Sequence, residues 1–412
     1  MAGSAVGRRD QVGPEVRLLL GGYLVSAVGS GMVFPYLAIY VVEARQQSET
    51  TAAVTLAVVA AGTVTGSLVG GAWTDRVGPR AVGSAGIGVQ VLGYACLGSV
   101  GSSPLLLLAG ATVGWGAGAF LAVLSPSISR LVPPALHRRA FALRYLVNNL
   151  GIGLGALLAV LVLGSFSAAR FQLLYVVNSA SYLVLLGCFR RALARVGGPA
   201  PSVVAAPVRG ERRCGPHADR RFTVLLLVQT LLVAAGFSQV QSVVPFFLSV
   251  RLDADPEVIS TMLALNCFGV VLLQPVVVHL CRRVADRRLL GCVGLLWAVA
   301  FGVGAGVVAG GAAGTGALLV FFLLFTLGEC CYAPSFQPLL VRIAPAGRLG
   351  HYSGVSSSLW GLTTFVAPPL GILLVDSGDS SWFWPICGGL CLLASACVTR
   401  LPEAGSRPGG RP

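Results

Sequence analysis

The 412-residue chain contains no lysine; all 29 of its basic residues are arginine. Without lysine there is no P-loop amine to cradle nucleotide phosphates and no amine to form a Schiff base. Charge of any kind is scarce, at 11% of the residues, roughly half of what a soluble domain carries. Nor is there a G-x-S-x-G elbow, an H-E-x-x-H pair or a Ser/His/Asp cluster outside the apolar runs, so the common hydrolase and zinc-protease chemistries have no residues to work with. These absences exclude a soluble enzyme, a disordered regulator and a disulfide-stapled secreted domain.

What the chain has instead is apolar length. Hydrophobic residues make up 55% of it, with 54 glycines besides. Apolar runs lie at about 17–42, 51–72, 81–100, 104–124, 143–164, 171–189, 222–249, 258–280, 289–309, 315–338, 352–375 and 382–399. A membrane-spanning helix needs about 20 mostly apolar residues, so the pattern predicts an all-α polytopic membrane protein with twelve transmembrane helices. The opening segment, MAGSAVGRRDQVGPEVR, is not followed by a short apolar core with a small-residue cleavage site, so the first run is expected to remain as a span. Nine of the eleven cysteines lie inside the runs, where a free thiol behaves as a small hydrophobe. No Cys/His spacing fits zinc.

The arginines set the orientation. With the N-terminus in the cytoplasm, the successive cytoplasmic segments hold 3, 2, 4, 8, 4, 2 and 3 arginines, against Arg45, Arg170 and Arg251 outside. This is the positive-inside pattern; it places both termini in the cytoplasm and accounts for the net charge of +14 without any nucleic acid. The expected location is the cell membrane and the expected state a monomer.

The expected organisation is a cytoplasmic tail (1–16), six helices (17–189), a Pro-, Gly- and Arg-rich cytoplasmic linker (190–221), six more helices (222–399) and a cytoplasmic tail (400–412). An internal repeat crosses the linker. Pro35 and Pro245 are 210 positions apart, Asp75-Arg76 and Asp286-Arg287 are 211 apart, Pro126 and Pro334 are 208 apart, and Pro133 and Pro345 are 212 apart. Four landmarks at nearly one offset argue for two pseudo-symmetric six-helix bundles. The segments GIGLGA (151–156) and GVGAGVVAG (302–310) look like dinucleotide fingerprints, but they lie inside apolar runs and read as close helix packing.

Between the second and third runs the chain reads GAWTDRVGPR (71–80). This resembles the signature loop of the major facilitator superfamily, G-x-x-x-D-R-x-G-R-R, at Gly71, Asp75, Arg76, Gly78 and Arg80. GSGMVFPYLAIY in the first run, LGECCYAPSFQPLLVRIAP in the tenth and GLTTFVAPPLG in the eleventh are similar to its twelve-helix drug:proton antiporters. In helix 5, Ala156 stands where that branch has a proline, and the arginine often found in helix 4 is absent. The resemblance implies the major facilitator fold. It also implies that Asp75 latches onto the start of helix 11, with Asp286 and Arg287 as the repeat counterpart. Gly71 leaves room for a close helix approach.

Of fifteen acids, only Glu329 lies deep in a run, about halfway along the tenth. A charge at the bilayer centre costs about 2.5–3.5 kcal/mol on insertion scales. Two readings fit it. One is a proton-coupling carboxyl that alternates between dry and wet surroundings; the other is a permanently protonated acid bonded to nearby backbone. No base lies at comparable depth to pair with it. Polar and aromatic residues that would line a substrate cavity are Tyr23, Phe34, Tyr36, Trp115, Asn148, Asn149, Gln239, Gln241, Asn266, Tyr332 and Trp360. Each of these also serves equally well as an interhelical hydrogen-bond or packing residue. Pro35 and Pro245 read as hinges or as packing bends.

The function expected from these features is secondary active efflux of a small lipophilic or amphipathic compound, driven by the proton gradient and needing no cofactor or metal. An uptake symporter or uniporter, or a receptor of the same fold that does not transport, is the alternative.

Overall fold

A computed structural model describes residues 12–163, 167–196, 198, 219–252, 255–309, 315–376 and 380–401. Most of the expected linker, the first eleven residues and the C-terminal tail from 402 on lie outside the described residues. Every regular element among the described residues is helical. In chain order they are α1 (Pro14–Ala44), α2 (Glu49–Val77), α3 (Pro79–Ser99), α4 (Ser103–Leu131), α5 (His137–Leu163), α6 (Ala168–Ala192), α7 (Arg220–Val250), α8 (Pro256–Leu280), α9 (Asp286–Ala309), α10 (Thr315–Ile343), α11 (Leu349–Asp376) and α12 (Phe383–Val398). Eleven are long and apolar enough to cross a membrane, whereas α12 has 16 residues of helix. Its apolar run is longer, but Ser380–Trp382 forms a 3-10 turn ahead of the helix.

Local chemistry fixes the helix ends. Ser48 caps α2 by accepting from Thr51 N at 3.1 Å, and Asp219 caps α7 by accepting from Arg221 N at 3.0 Å and Phe222 N at 3.3 Å. These side chains satisfy first-turn N–H groups that have no helical partner. Pro14, Pro79 and Pro256 sit at the first helical position, where the missing N–H costs nothing. Gly78 joins α2 to α3 with φ of 90°, in the left-handed region where a side chain is strained.

The two long helices that open the expected halves, α1 and α7, are both irregular. α1 passes through a 3-10 turn at Phe34–Tyr36, around Pro35, and a π-helical turn at Tyr40–Ala44. α7 holds two π-helical turns, Val233–Phe237 and Gln239–Val243, just ahead of Pro245. A proline removes one rung of the ladder, and the wider turns absorb the mismatch.

The chain forms two compact units. The first is Met1–Arg212 with Ala344–Leu362, and the second is Arg213–Ile343 with Thr363–Pro412. In the first, α2 and α4 meet along a seam of small residues. A Cβ on Gly66 would strike the Trp115 carbonyl, and one on Gly114 the Val59 carbonyl. Lipid tails are as apolar as any side chain, so helices in a bilayer associate through such close backbone contact. The second unit packs on rings instead. Trp297 stacks on Phe325 at 4.7 Å and stands edge-on to Phe237 at 4.9 Å, while its indole N–H donates to the Phe325 carbonyl at 2.9 Å. Phe301, Phe321, Phe247 and Trp384 extend the cluster. Leu92, Leu108, Leu161, Leu272 and Leu280 are exposed on the helix surfaces, as expected of faces that meet acyl chains.

Candidate proton and substrate sites

Glu329 lies midway along α10 and is 2% exposed. Asn266 on α8 donates from Nδ2 to its Oε2 at 2.6 Å and to Thr326 Oγ1 at 2.9 Å. Thr326 in turn donates to the Phe322 carbonyl at 2.6 Å. Two turns further along α8, Gln274 donates to the Cys330 carbonyl at 3.0 Å, so the same two helices are tied beside the acid. The carboxyl is therefore buried against the Asn266 amide.

Glu329 and Asn266 are thus brought together. Thr326 and Gln274 were not anticipated; Gln274 was legible as the one amide in the apolar stretch VVLLQPVVV. Tyr332 lies one turn beyond Glu329 on α10, stacked on Phe336 at 5.2 Å and edge-on to Phe237 at 5.2 Å. Gln239 spends its amide hydrogens on the carbonyls of Ala234 at 2.7 Å and Ala367 at 3.1 Å, tying α7 to α11 within the second unit. Gln241, two residues on, is exposed.

In the first unit the Tyr23 hydroxyl on α1 donates to Asn148 Oδ1 on α5 at 2.8 Å. Ser30 shares a hydrogen bond with the Tyr182 hydroxyl at 2.9 Å, and Tyr182 packs on Tyr94 at 5.3 Å. Asn149 donates to the Tyr145 carbonyl of its own helix at 2.9 Å. Phe34 is exposed and Tyr36 half-buried, both in the 3-10 turn of α1. Trp115 borders a groove of about 470 Å³ between α2, α3 and α4, away from Tyr23 and Asn148. Trp360 lies in the first half of α11. Arg144, counted among the arginines of the cytoplasmic segments, lies two turns into α5, half-buried, with its Nε buried and without a hydrogen-bond partner.

Asp75 Oδ1 accepts from Gly350 N at 2.7 Å and Oδ2 from His351 N at 2.8 Å, so one carboxylate caps the first turn of α11. Such a contact is worth about 0.3–1 kcal/mol when exposed and up to about 2 when partly buried. Gly71 lies against Gly350 and Gly354, where a Cβ would meet backbone. Arg130, at the end of α4, interacts electrostatically with Asp75. Arg76 is exposed and Arg80 half-buried. In the second unit Asp286 pairs with Arg342, at the end of α10, at 2.5 Å. Arg287 donates to the Leu401 carbonyl at 2.9 Å. Arg130 and Arg342 are 212 positions apart, close to the offset of the other sequence landmarks.

The sequence model of the Major Facilitator Superfamily matches residues 19–250 and 226–411. The chain belongs to the Major Facilitator Superfamily. It is a multi-span membrane transporter of that superfamily and not an enzyme. Two relatives from Bacillus subtilis (strain 168) are alike along nearly the whole length. The uncharacterized MFS-type transporter YttB is 22% identical over 88% of each chain, and the uncharacterized MFS-type transporter YqjV is 23% identical over 90% of each. Among solved structures, a bacterial homologue of the iron transporter ferroportin in an outward-facing state superimposes with a TM-score of 0.78 at 17% identity, over 94% of this chain and 98% of that one. The human organic anion transporter MFSD10 (TETRAN) gives 0.72 at 18%, over 94% and 100%. At these identities the likeness is one of fold.

Proposed function

We propose that this transporter exports a small lipophilic or amphipathic compound, a drug or natural product, in exchange for protons by alternating access. The observation that carries this reading is the buried Glu329 carboxyl with Asn266 donating to it at 2.6 Å. A buried acid that accepts from an amide is poised to take up a proton when dry and release it when wetted. In this reading Glu329 carries the proton, Asn266 steadies its ionised form, and the proton gradient supplies the energy with no cofactor.

The other parts take roles that fit the same cycle. Asp75 on the first turn of α11, with Gly71, Arg76, Gly78 and Arg80 shaping the loop, is a latch made in one conformer and released in the other. Asp286 and Arg287 are its counterpart. The irregular turns beside Pro35 and Pro245 are the hinges. The repeat landmarks, now including Arg130 and Arg342, support two pseudo-symmetric six-helix halves. Arginine placement supports a cell-membrane protein with both termini cytoplasmic. The compound is held by aromatic and amide side chains: Tyr23, Phe34, Tyr36, Trp115, Asn148, Asn149 and Trp360 in the first unit, and Gln239, Gln241, Asn266 and Tyr332 in the second. The protein acts as a monomer.

The test is transport in sealed vesicles under an imposed pH difference. Glu329→Gln, nearly the same shape but unable to ionise, is expected to express and insert normally while losing uphill export. It should keep exchange between labelled and unlabelled compound, which needs no net proton movement. Uphill export by the Gln variant would remove Glu329 from the coupling role.

A further inference from the structure

Arg144 is a cation that the transport reading does not use. It lies seven residues past His137, where α5 begins, about 10 Å along the axis at 1.5 Å per residue. Arg144, Asn148, Gly151 and Gly155 are spaced i, i+4, i+7 and i+11 and so share one face of α5. That face is turned to α1. A Cβ on Gly155 would strike the Val28 carbonyl, one on Gly151 would meet Ala27, and Asn148 already holds Tyr23 at 2.8 Å. The guanidinium therefore belongs to the α1-facing stripe.

The described acids of the first unit offer it no counter-charge. The Nε is buried without an acceptor. Of the described acids in the first unit, Glu15, Glu43 and Glu49 are exposed near helix ends, and Asp75 is engaged with Gly350 and His351. Asn148 has its oxygen taken by the Tyr23 hydroxyl, which leaves its Nδ2 hydrogens to give. The Arg144 guanidinium and the Asn148 Nδ2 hydrogens are donors, one set of them charged, and the Tyr23 hydroxyl oxygen beside them is neutral. A half-buried cation without a partner is costly, and its planar fork matches a carboxylate.

We propose that Arg144, with Asn148 beside it, receives an anionic group, a carboxylate above all, on the transported compound. This rests on the export reading and narrows its substrate class to amphipathic anions. The same chemistry would also take the phosphate of a lipid headgroup, so the test must separate the two.

The experiment uses the full chain in phosphatidylcholine nanodiscs and a matched fluorescent pair, dansyl-phenylalanine and its amide. The wild type is expected to bind the carboxylate roughly tenfold more tightly than the amide, the scale of one charged hydrogen-bonded contact. Arg144→Gln should abolish that preference, while Arg144→Lys should keep part of it. Benzoate should displace the carboxylate probe from the wild type where benzamide does not, a readout that needs no variant to fold. Equal binding of the two probes, or a preference that survives in Arg144→Gln, overturns the assignment of Arg144 while export of the amide still stands as a test of coupling. Loss of the wild-type preference when phosphatidylglycerol is added to the discs overturns it in favour of a lipid phosphate. If neither probe binds, both this proposal and the amphipathic export reading fail.

Discussion

At the scale of single residues, the polar pair in the second unit is governed by one donor. Asn266 gives one hydrogen to Glu329 and one to Thr326, so both of its amide hydrogens are used. Asn266→Leu would leave the acid without its amide partner. A hydrogen bond to a charged group is worth about 1.5–3 kcal/mol, so proton-driven transport should fall at least roughly tenfold in that variant. Thr326→Val removes a hydroxyl that donates within its own helix and accepts from Asn266, but it leaves the Asn266 bond to Glu329 in place, so it should cost less. Initial rates measured over a series of external pH values compare the two. Glu329 itself was legible in the sequence, because a carboxylate in an apolar run has no bland neighbours to hide among. Its partnership with Asn266 was not, since the two lie 63 positions apart and their meeting depends on how α8 and α10 are rotated. The place of Arg144 on the α1-facing stripe was not legible for a related reason. It lies at the polar edge of its run, where a count by segment cannot tell a loop charge from one turned inward.

At the scale of helices, the apolar runs announced nearly every element, because length and hydropathy are enough to define a span. What they could not announce was register. The π-helical turns of α7 depend on which carbonyl each N–H reaches, and composition does not encode that choice. The glycine-rich segment at 151–156 was correctly separated from a nucleotide fingerprint by its apolar setting, and it packs on α1 through Gly151 and Gly155. The small-residue seam gives a prediction of its own. Gly114→Leu would drive a side chain into the Val59 carbonyl, whereas Gly88 has open space around it. Overpacking typically costs 1–3 kcal/mol, so Gly114→Leu should lower the unfolding temperature in detergent by roughly 5 °C. Gly88→Leu should leave it unchanged. Thermal scanning of tryptophan fluorescence reads both.

At the scale of the whole molecule, the two aspartate sites share a plan and differ in strength. Asp75 holds the α11 first turn by two backbone N–H groups, and Asp286 holds Arg342 directly. Asp75→Asn keeps one acceptor and loses the charge that suits a helix N-terminus. It should therefore shift the balance of conformers while leaving the fold intact. In a cysteine-depleted background carrying Phe34→Cys, an impermeant maleimide should react several-fold more slowly once Asp75 is replaced, because the conformer that exposes that turn of α1 is less populated. An unchanged rate would separate the aspartate from any conformational role. For Asp286, exchanging the partners (Asp286→Arg with Arg342→Asp) should recover most of the activity that either single change removes, as expected of a direct pair.

The central claim is that one carboxyl exchanges its proton against the compound, and proton release on binding measures this directly. In weakly buffered detergent solution with a pH dye, the wild type should release about one proton for each molecule of compound bound, as linkage between the two requires. Glu329→Gln should bind the compound and release none. If that variant released as many protons as the wild type, the exchange would reside elsewhere and this account of Glu329 would be contradicted.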